Sequence, residues 1–306
     1  MKCLMCVTGD ATQFRSVDGV DYFECKACQS IFADPDFIAD YNLKESIYDA
    51  NYWKTECESA RERSYGSSLN RVAELFLYAR KPINKFLDIG SGPGYLLDAI
   101  SVVIPRYSES FYGIELFPPP LEFQTSHKNY KIGSLQSLHE KFDGGCCIEV
   151  IEHLSPDVLM RLIDQLAIVS NPGAIYYINS AQPSFVRNVD PGYLDPHVRG
   201  HICSYSLVAL EKIFSAAGFT VIPLPGRDWA FLVEFGKHDD ASKNIETLMA
   251  RVWNPVISNV NMLKNNGFGP FMYTVGVESA RCYYESEIAS QRTNWALSLK
   301  KQLFGI

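Results

Sequence analysis

Polar and apolar positions change their spacing several times along the chain, and each change marks a different element. Residues 1–40 show no helical period and read as short extended segments with a hairpin-like stretch, VDGVDYFEC. Between 41 and 82 the spacing lengthens, and Leu69, Val72, Ala73, Phe76 and Leu77 fall on one face of an amphipathic helix. From Lys85 onward short apolar runs alternate with helical text: KFLDIG, a helix over 95–103, FYGIEL, GGCCIEV, and a helix opened by Ser155 and Pro156. NPG at 171–173 marks the end of that helix, and the strand AIYYIN follows. A helix from about Ser206 to Ala217, closed by Gly218, precedes the late strands FTVI and AFLVEF. This alternation predicts an α/β fold, a mostly parallel sheet with helices on both faces and an antiparallel pair at one edge.

The tail carries apolar residues at Ile245, Leu248, Met249, Val252 and Trp253, a breaker run NNGFGPF, then Tyr284, Ile288, Trp295, Leu299 and Leu303. Two helices joined by a turn are expected, with Pro255 kinking the first. Packing against the core is the first expectation for them, and a homodimer interface or a lid is the alternative. The expected division is 1–40, a connector or lid over 41–84, a main domain over 85–238 and a helical extension over 239–306.

Composition narrows the class. The chain has 306 residues, 47% of them hydrophobic and 13% aromatic, too apolar for a disordered protein. Against 35 Asp and Glu stand 28 Lys and Arg, a formal charge of −7 that disfavours a nucleic-acid partner held by bulk charge. No apolar run spans a membrane, and MKCLMCVTGD lacks the apolar region of a signal peptide, so a cytoplasmic protein is expected.

Nine cysteines, an odd and sparse count, point to thiols or metal ligands rather than disulfides. Cys3-x2-Cys6 and Cys25-x2-Cys28 have the spacing of a zinc ribbon, in which each pair presents two thiolates to one tetrahedral ion. Four sulfurs close such a site, so its Zn²⁺ is structural. Residues 1–40 hold three basic and seven acidic side chains, a balance that repels phosphates. Cys57, Cys146, Cys147, Cys203 and Cys282 have no ligand spacing and are read as packing residues; neighbours 146 and 147 must face opposite sides of their strand.

Phe86 to Gly94 reads FLDIGSGPG: a strand ending in Asp88, then Gly90, Gly92 and Gly94, then a helix. A dinucleotide fingerprint would space its glycines as G-x-G-x-x-G, whereas these fall as G-x-G-x-G directly after an acid. Over about residues 48–237 the chain resembles the class I S-adenosylmethionine-dependent methyltransferases, whose first motif has this form. The resemblance implies a Rossmann-like, doubly wound, mostly parallel seven-stranded sheet. It also implies that the loop holds the methionine end of S-adenosylmethionine and that an acid ending the second strand takes the ribose hydroxyls. Glu115, 27 positions after Asp88, matches that acid, and a carboxylate can accept both O–H bonds of a diol. Ser134 and Leu135 match the segment that frames the adenine.

The fourth strand of this region ends in CIEVIEHLSPD, which sets Glu149, Glu152 and His153 at the carboxyl edge where such sheets bind ligands. The E-x-x-E-H run resembles two metal-using O-methyltransferase groups, the small-RNA 2′-O-methyltransferases and the ubiquinone-pathway enzymes, with His201 as the fourth candidate ligand. Methyl transfer from a sulfonium to oxygen is an in-line displacement, and the acceptor hydroxyl must lose or share its proton. Mg²⁺ or Mn²⁺ on these side chains would lower the hydroxyl pKa and fix the angle of attack. Alternatively His153 or His201 acts as a metal-free base, or Glu152 and His153 merely cap the helix and line a pocket.

Aromatic text YDANYW (Tyr48, Tyr52, Trp53) resembles the lid segment of related enzymes. The long loop after AIYYIN, with Arg187, Tyr193, His197 and Arg199, is the candidate for acceptor recognition. A ribbon followed by Tyr- and Trp-rich text and a methyltransferase domain resembles enzymes that methylate nucleotide sugars and surface polysaccharides. Sugar C-methyltransferases of that kind carry a further large domain, for which the tail after residue 238 is short, so O-methylation of a sugar, glycan or small polyol is expected. RNA 2′-O-methylation, sugar C-methylation and a non-catalytic zinc-ribbon scaffold are the alternatives.

Overall fold

The structure, a computed structural model, describes residues 1–43, 50–236, 245–264 and 270–304. It opens with β1 (Ala11–Val17), β2 (Val20–Cys25) and β3 (Ile31–Ala33), each antiparallel to the next. Helices α1 (Pro35–Leu43), α2 (Ala50–Tyr65) and α3 (Ser67–Tyr78) follow. The second sheet begins with β4 (Phe86–Ile89), α4 (Tyr95–Val103), β5 (Phe111–Glu115), β6 (Tyr130–Ile132), β7 (Phe142–Ile148), α5 (Pro156–Val169) and β8 (Ser170–Asn179). Next come α6 (Pro183–Asn188), β9 (Cys203–Ser204), α7 (Leu207–Ala216), β10 (Phe219–Pro223) and β11 (Ala230–Phe235). The tail forms α8 (Ile245–Trp253), α9 (Ile257–Lys264) and α10 (Phe271–Phe304).

The large sheet has seven strands in the order β10-β11-β8-β7-β4-β5-β6. Its middle is parallel, and β11 runs antiparallel to both β8 and β10, so the fold class and its antiparallel edge are as the sequence pattern predicts. Cys146 and Cys147 sit in separate core clusters on the two faces. β8 begins at Ser170, so the NPG turn text opens the strand directly after α5 stops. The first 33 residues are not walled off from this sheet. β3 pairs with β9, and one continuous core joins Cys3, Tyr22 and Phe32 to Leu87, Cys147 and Tyr176.

All five residues of the apolar face expected in the connector are buried in α3, which packs on β7, β8 and α10. Its Glu74 takes a two-armed bond from Arg227, 2.6 and 2.9 Å, and the same guanidinium donates to the Tyr177 hydroxyl at 2.9 Å. Both partners of that pair are almost wholly buried. Arg227→Ala should therefore lower stability by about 3–5 kcal/mol, because Glu74 is left charged in an apolar setting. Urea unfolding checks this, and a loss under 1 kcal/mol would contradict it.

The tail differs from the two-helix expectation. Asn254 and Pro255 end α8 outright, since Pro lacks the N–H a helix needs, and a third helix results. α10 packs closely on α3 at Gly276, where a Cβ would stand 3.0 Å from Ala73. Residues 289–304 are all exposed, so Trp295, Leu299 and Leu303 do not pack on the core as their spacing suggests. Among the described residues no helix is long and apolar enough to cross a membrane.

Candidate donor and acceptor sites

The glycine loop links β4 to α4. Gly90, Gly92 and Gly94 all have left-handed φ values, 68°, 52° and 79°, which L side chains rarely adopt. Space forbids a side chain as well: a Cβ at 90 would lie 2.5 Å from Val150, and one at 94 would lie 2.3 Å from Thr125. At Gly92 the Trp53 ring of α2 closes over the loop, 3.3 Å from where a Cβ would be. Trp53 is thus the covering aromatic of the YDANYW text, while Tyr48 and the Tyr52 side chain lie outside the described residues.

Glu115, at the end of β5, accepts the Gly92 N–H at 2.7 Å and the Phe117 N–H at 2.8 Å, one on each oxygen. Burial raises its pKa, and these N–H bonds act against the rise. Each oxygen keeps a further lone pair, so the carboxylate is fixed in direction and still able to accept a diol. Asp88 is buried beneath the loop, where loss of water pushes its pKa up to about 7 despite a 3.1 Å bond from the Cys146 thiol. A cation over the loop would hold it ionised. Ser91, inside the loop, has a buried hydroxyl without a hydrogen-bond partner among the described residues. Gly133 N–H bonds the Glu115 carbonyl at 2.8 Å, which brings Ser134 and Leu135 beside Glu115; Ser134 is half-buried and Leu135 is packed in the core.

The E-x-x-E-H turn leaves β7 at the carboxyl edge. Glu149 has a left-handed φ of 54°, an outlier for a residue with a side chain. Its backbone N–H bonds the Asn179 carbonyl at 2.9 Å, and its carboxylate meets the Asn179 amide and, at 3.5 Å, the Tyr193 hydroxyl. Glu152 is 0% exposed, and neither of its oxygens has a hydrogen-bond partner among the described residues. Burial, then the neighbouring Glu149, pushes its pKa well above the carboxylate range.

His153 and His201 stand edge to face, 4.8 Å between ring centres. A carbonyl only accepts, so His201 donates Nδ1–H to Tyr193 at 2.7 Å, and His153 donates Nδ1–H to Gly200 at 3.1 Å. Nε2 of His201 is then a lone-pair nitrogen, 3.9 Å from a Glu152 oxygen. Burial lowers the His153 pKa to about 4 and that of His201 to about 3, so both rings are neutral. Ligand atoms of Glu152, His153 and His201 all lie within 4.8 Å of one another; Glu149 is beside this trio and not in it. A buried carboxylate with two neutral imidazoles, one of them donating its Nδ1–H to the Tyr193 carbonyl, is the donor set of a transition-metal ion more than of Mg²⁺.

In the first sheet the Cys3, Cys6, Cys25 and Cys28 thiols converge, with Cys3 and Cys28 3.7 Å apart and Cys6 and Cys25 3.6 Å apart. A tetrahedral zinc with bonds of about 2.3 Å requires sulfurs about 3.8 Å apart. Backbone N–H groups of Met5 and Cys6 point at Cys3, and those of Ala27 and Cys28 at Cys25. Val7 and Gln29, each one residue past its pair, share a left-handed turn. The residues present fit a zinc ion.

Of the four loop residues singled out for acceptor recognition, Tyr193 alone reaches the histidines, its ring 4.4 Å from that of His201. Arg187 pairs with Glu24, His197 meets the Asp18 carbonyl and Arg199 pairs with Asp190. Three contributors escaped the sequence reading. Cys146, read as packing, bonds Asp88; Tyr130 donates to the Gly92 carbonyl at 2.7 Å; Asn179 orients Glu149. Asn179 did leave a signal, a polar residue closing an apolar strand.

A family model described as a methyltransferase domain matches residues 58–224. No curated protein matches the chain. Among solved structures, an amino pentose methyltransferase from Micromonospora echinaspora with bound S-adenosylmethionine is similar at 16% identity and a TM-score of 0.46, over 62% of this chain and 99% of that one. DesVI of Streptomyces venezuelae is similar at 16% identity and 0.46, over 63% and 100%. The 1,6-didemethyltoxoflavin N1-methyltransferase of Burkholderia thailandensis is similar at 16% identity and 0.41, over 73% and 97%.

Proposed function

The chain belongs to the methyltransferase domain family, and from that membership we propose that it moves the methyl group of S-adenosylmethionine to a hydroxyl of a sugar, glycan or small polyol with help from a divalent ion. The observation that carries the metal-assisted reading is Glu152, a fully buried carboxylate without a hydrogen-bond partner among the described residues, beside two neutral imidazoles. On this reading Glu115 takes the ribose hydroxyls. Asp88 and the loop of Gly90, Gly92 and Gly94 face the methionine end, and Ser134 and Leu135 border the adenine.

Glu152, His153 and His201 would hold Mn²⁺ or a similar ion, which when bound supplies Lewis acidity toward the acceptor hydroxyl. His201 is kept in the tautomer that presents Nε2 by its bond to the Tyr193 carbonyl. Glu149, held by Asn179 and Tyr193, lies beside the trio and could accept a second hydroxyl of a polyol. Trp53 closes the loop side against water. Cys3, Cys6, Cys25 and Cys28 would hold a structural Zn²⁺.

The acceptor is tested by incubating the protein with methyl-labelled donor and fractionated cell material. Label in glycan or nucleotide-sugar fractions is expected; label confined to RNA or protein would overturn the acceptor class.

A homodimer through α10 also belongs to this reading. Its exposed end carries Trp295, Leu299 and Leu303, with Glu285 and Glu287 nearer the body and Arg292, Lys300 and Lys301 toward the tip. Antiparallel pairing of two copies sets acids against bases and covers the apolar stripe. Sedimentation should show a dimer that becomes monomeric when the chain is cut after residue 288, with donor affinity unchanged. A full-length monomer at about 50 μM, where a dimer of Kd about 1 μM would form, would contradict it.

A further inference from the structure

His201 comes from a segment that pairs with no strand of the seven-stranded sheet, and its link to that sheet's edge is the Ser204 hydroxyl, which donates to the Ala181 carbonyl just past β8 at 2.8 Å. β9 is two residues long, and its ladder partner is β3, with Ile31 opposite Ser204 and Phe32 opposite Cys203. Around it the amino-terminal unit supplies a series of side-chain and backbone bonds. Tyr22, fully buried, donates its hydroxyl to the His201 carbonyl at 2.8 Å. The Ala33 N–H donates to the Ile202 carbonyl at 2.8 Å, and the Tyr41 hydroxyl donates to the Gly200 carbonyl at 3.3 Å. Ser30 accepts the Ser206 N–H at 3.0 Å, at the start of α7.

The opposite side of the same segment meets the E-x-x-E-H turn. Ile202 N–H donates to the Glu152 carbonyl at 3.0 Å, and His153 donates to Gly200. Residues 200–206 are therefore held between the cysteine unit and the turn that bears Glu152 and His153. A two-residue strand has too few ladder bonds to stand alone. β3 lies between β2 and β9 in a sheet whose loops and strand ends carry Cys3, Cys6, Cys25 and Cys28, and four thiolates that gain their ion add that binding energy to the order of the residues they tie together.

We infer that the ribbon is the template for the acceptor side of the site. β3 and Tyr22 position His201, and loss of zinc from Cys3, Cys6, Cys25 and Cys28 releases residues 200–206 while leaving the donor loop in place. Tyr22 is a positioning residue, since it acts on the imidazole only through the backbone of His201. The purpose of the placement rests on the metal-assisted reading above; the coupling itself does not.

Hydrogen exchange on the full chain tests the coupling, with zinc bound and after its removal by a chelator. The Ala33 and Ile202 amides should exchange about 100-fold faster without zinc, while those of Leu87 and Cys146 in the central strands keep their protection. Retained protection at Ile202, or equal loss in both sheets, would overturn the inference. Tyr22→Phe tests positioning with the zinc in place. The variant should keep one zinc and wild-type affinity for S-adenosylhomocysteine, yet bind Mn²⁺ at the second site about 10-fold more weakly, read by electron paramagnetic resonance. Unchanged Mn²⁺ affinity would overturn the role of Tyr22. A wild-type chain that binds no Mn²⁺ would sink the metal-assisted reading, and the exchange result would still decide the coupling.

Discussion

Replacing Glu115 with Ala should weaken binding of S-adenosylmethionine about 100-fold or more by calorimetry. The carboxylate is oriented before any ligand arrives, because Gly92 and Phe117 each donate an N–H to one oxygen. Two ribose hydroxyls would add two charge-assisted bonds worth about 1.5–3 kcal/mol each, and the truncation removes both. It also leaves the Gly92 N–H without its acceptor, which loosens the loop that must lie against the ligand. S-adenosylhomocysteine has the same ribose and no sulfonium charge, so its affinity should fall by the same factor. Equal affinity of mutant and wild type for both compounds would remove the ribose assignment. A loss confined to the sulfonium compound would mean that Glu115 reads charge instead.

What the sequence made legible is what is local in it. The glycine loop depends on residues within seven positions of one another, and glycine is the residue type that admits their left-handed φ values. The same holds for the two C-x2-C turns, each of which sets its pair of sulfurs before the pairs meet. The acceptor side was legible as a set of residue types and not as an arrangement. Glu152, His153 and His201 meet only because β9 pairs with β3, a contact between positions 171 apart at Phe32 and Cys203. A two-residue strand inside a loop has no periodicity to detect. Cys146 and Tyr130 were missed for a similar reason, since each acts on a strand or loop distant in sequence, and the apolar period that places them says nothing of their polar atoms. The tail erred in the opposite direction. Its apolar spacing is genuine, but spacing gives a face and no partner, and beyond residue 288 α10 has left the body of the protein.

Glu152→Met should separate a ligand from a merely structural carboxyl by the sign of its effect. In the metal-free protein Glu152 is buried with both oxygens unpaired, and its raised pKa means that folding costs it the ionised form near neutral pH. For a carboxyl whose folded pKa lies above the unfolded one, stability falls as pH rises through the unfolded value toward the folded one. An apolar side chain of similar length removes that cost. The metal-free variant should therefore be more stable than metal-free wild type at pH 7, by about 1–3 kcal/mol, the usual cost of an unsatisfied buried polar group. With Mn²⁺ at about 1,000 times its dissociation constant the order should reverse, because wild type gains about 4.1 kcal/mol by binding to the folded state alone and the variant gains nothing. Methyl transfer, measured with labelled donor on whichever fraction accepts it, should fall about 1000-fold in the variant while donor affinity holds. Chelation that spares the tightly held zinc should do the same to wild type, and Mn²⁺ should restore it. A helix-capping or packing role predicts the other sign: the variant would be destabilised with or without metal, and turnover would persist in chelator.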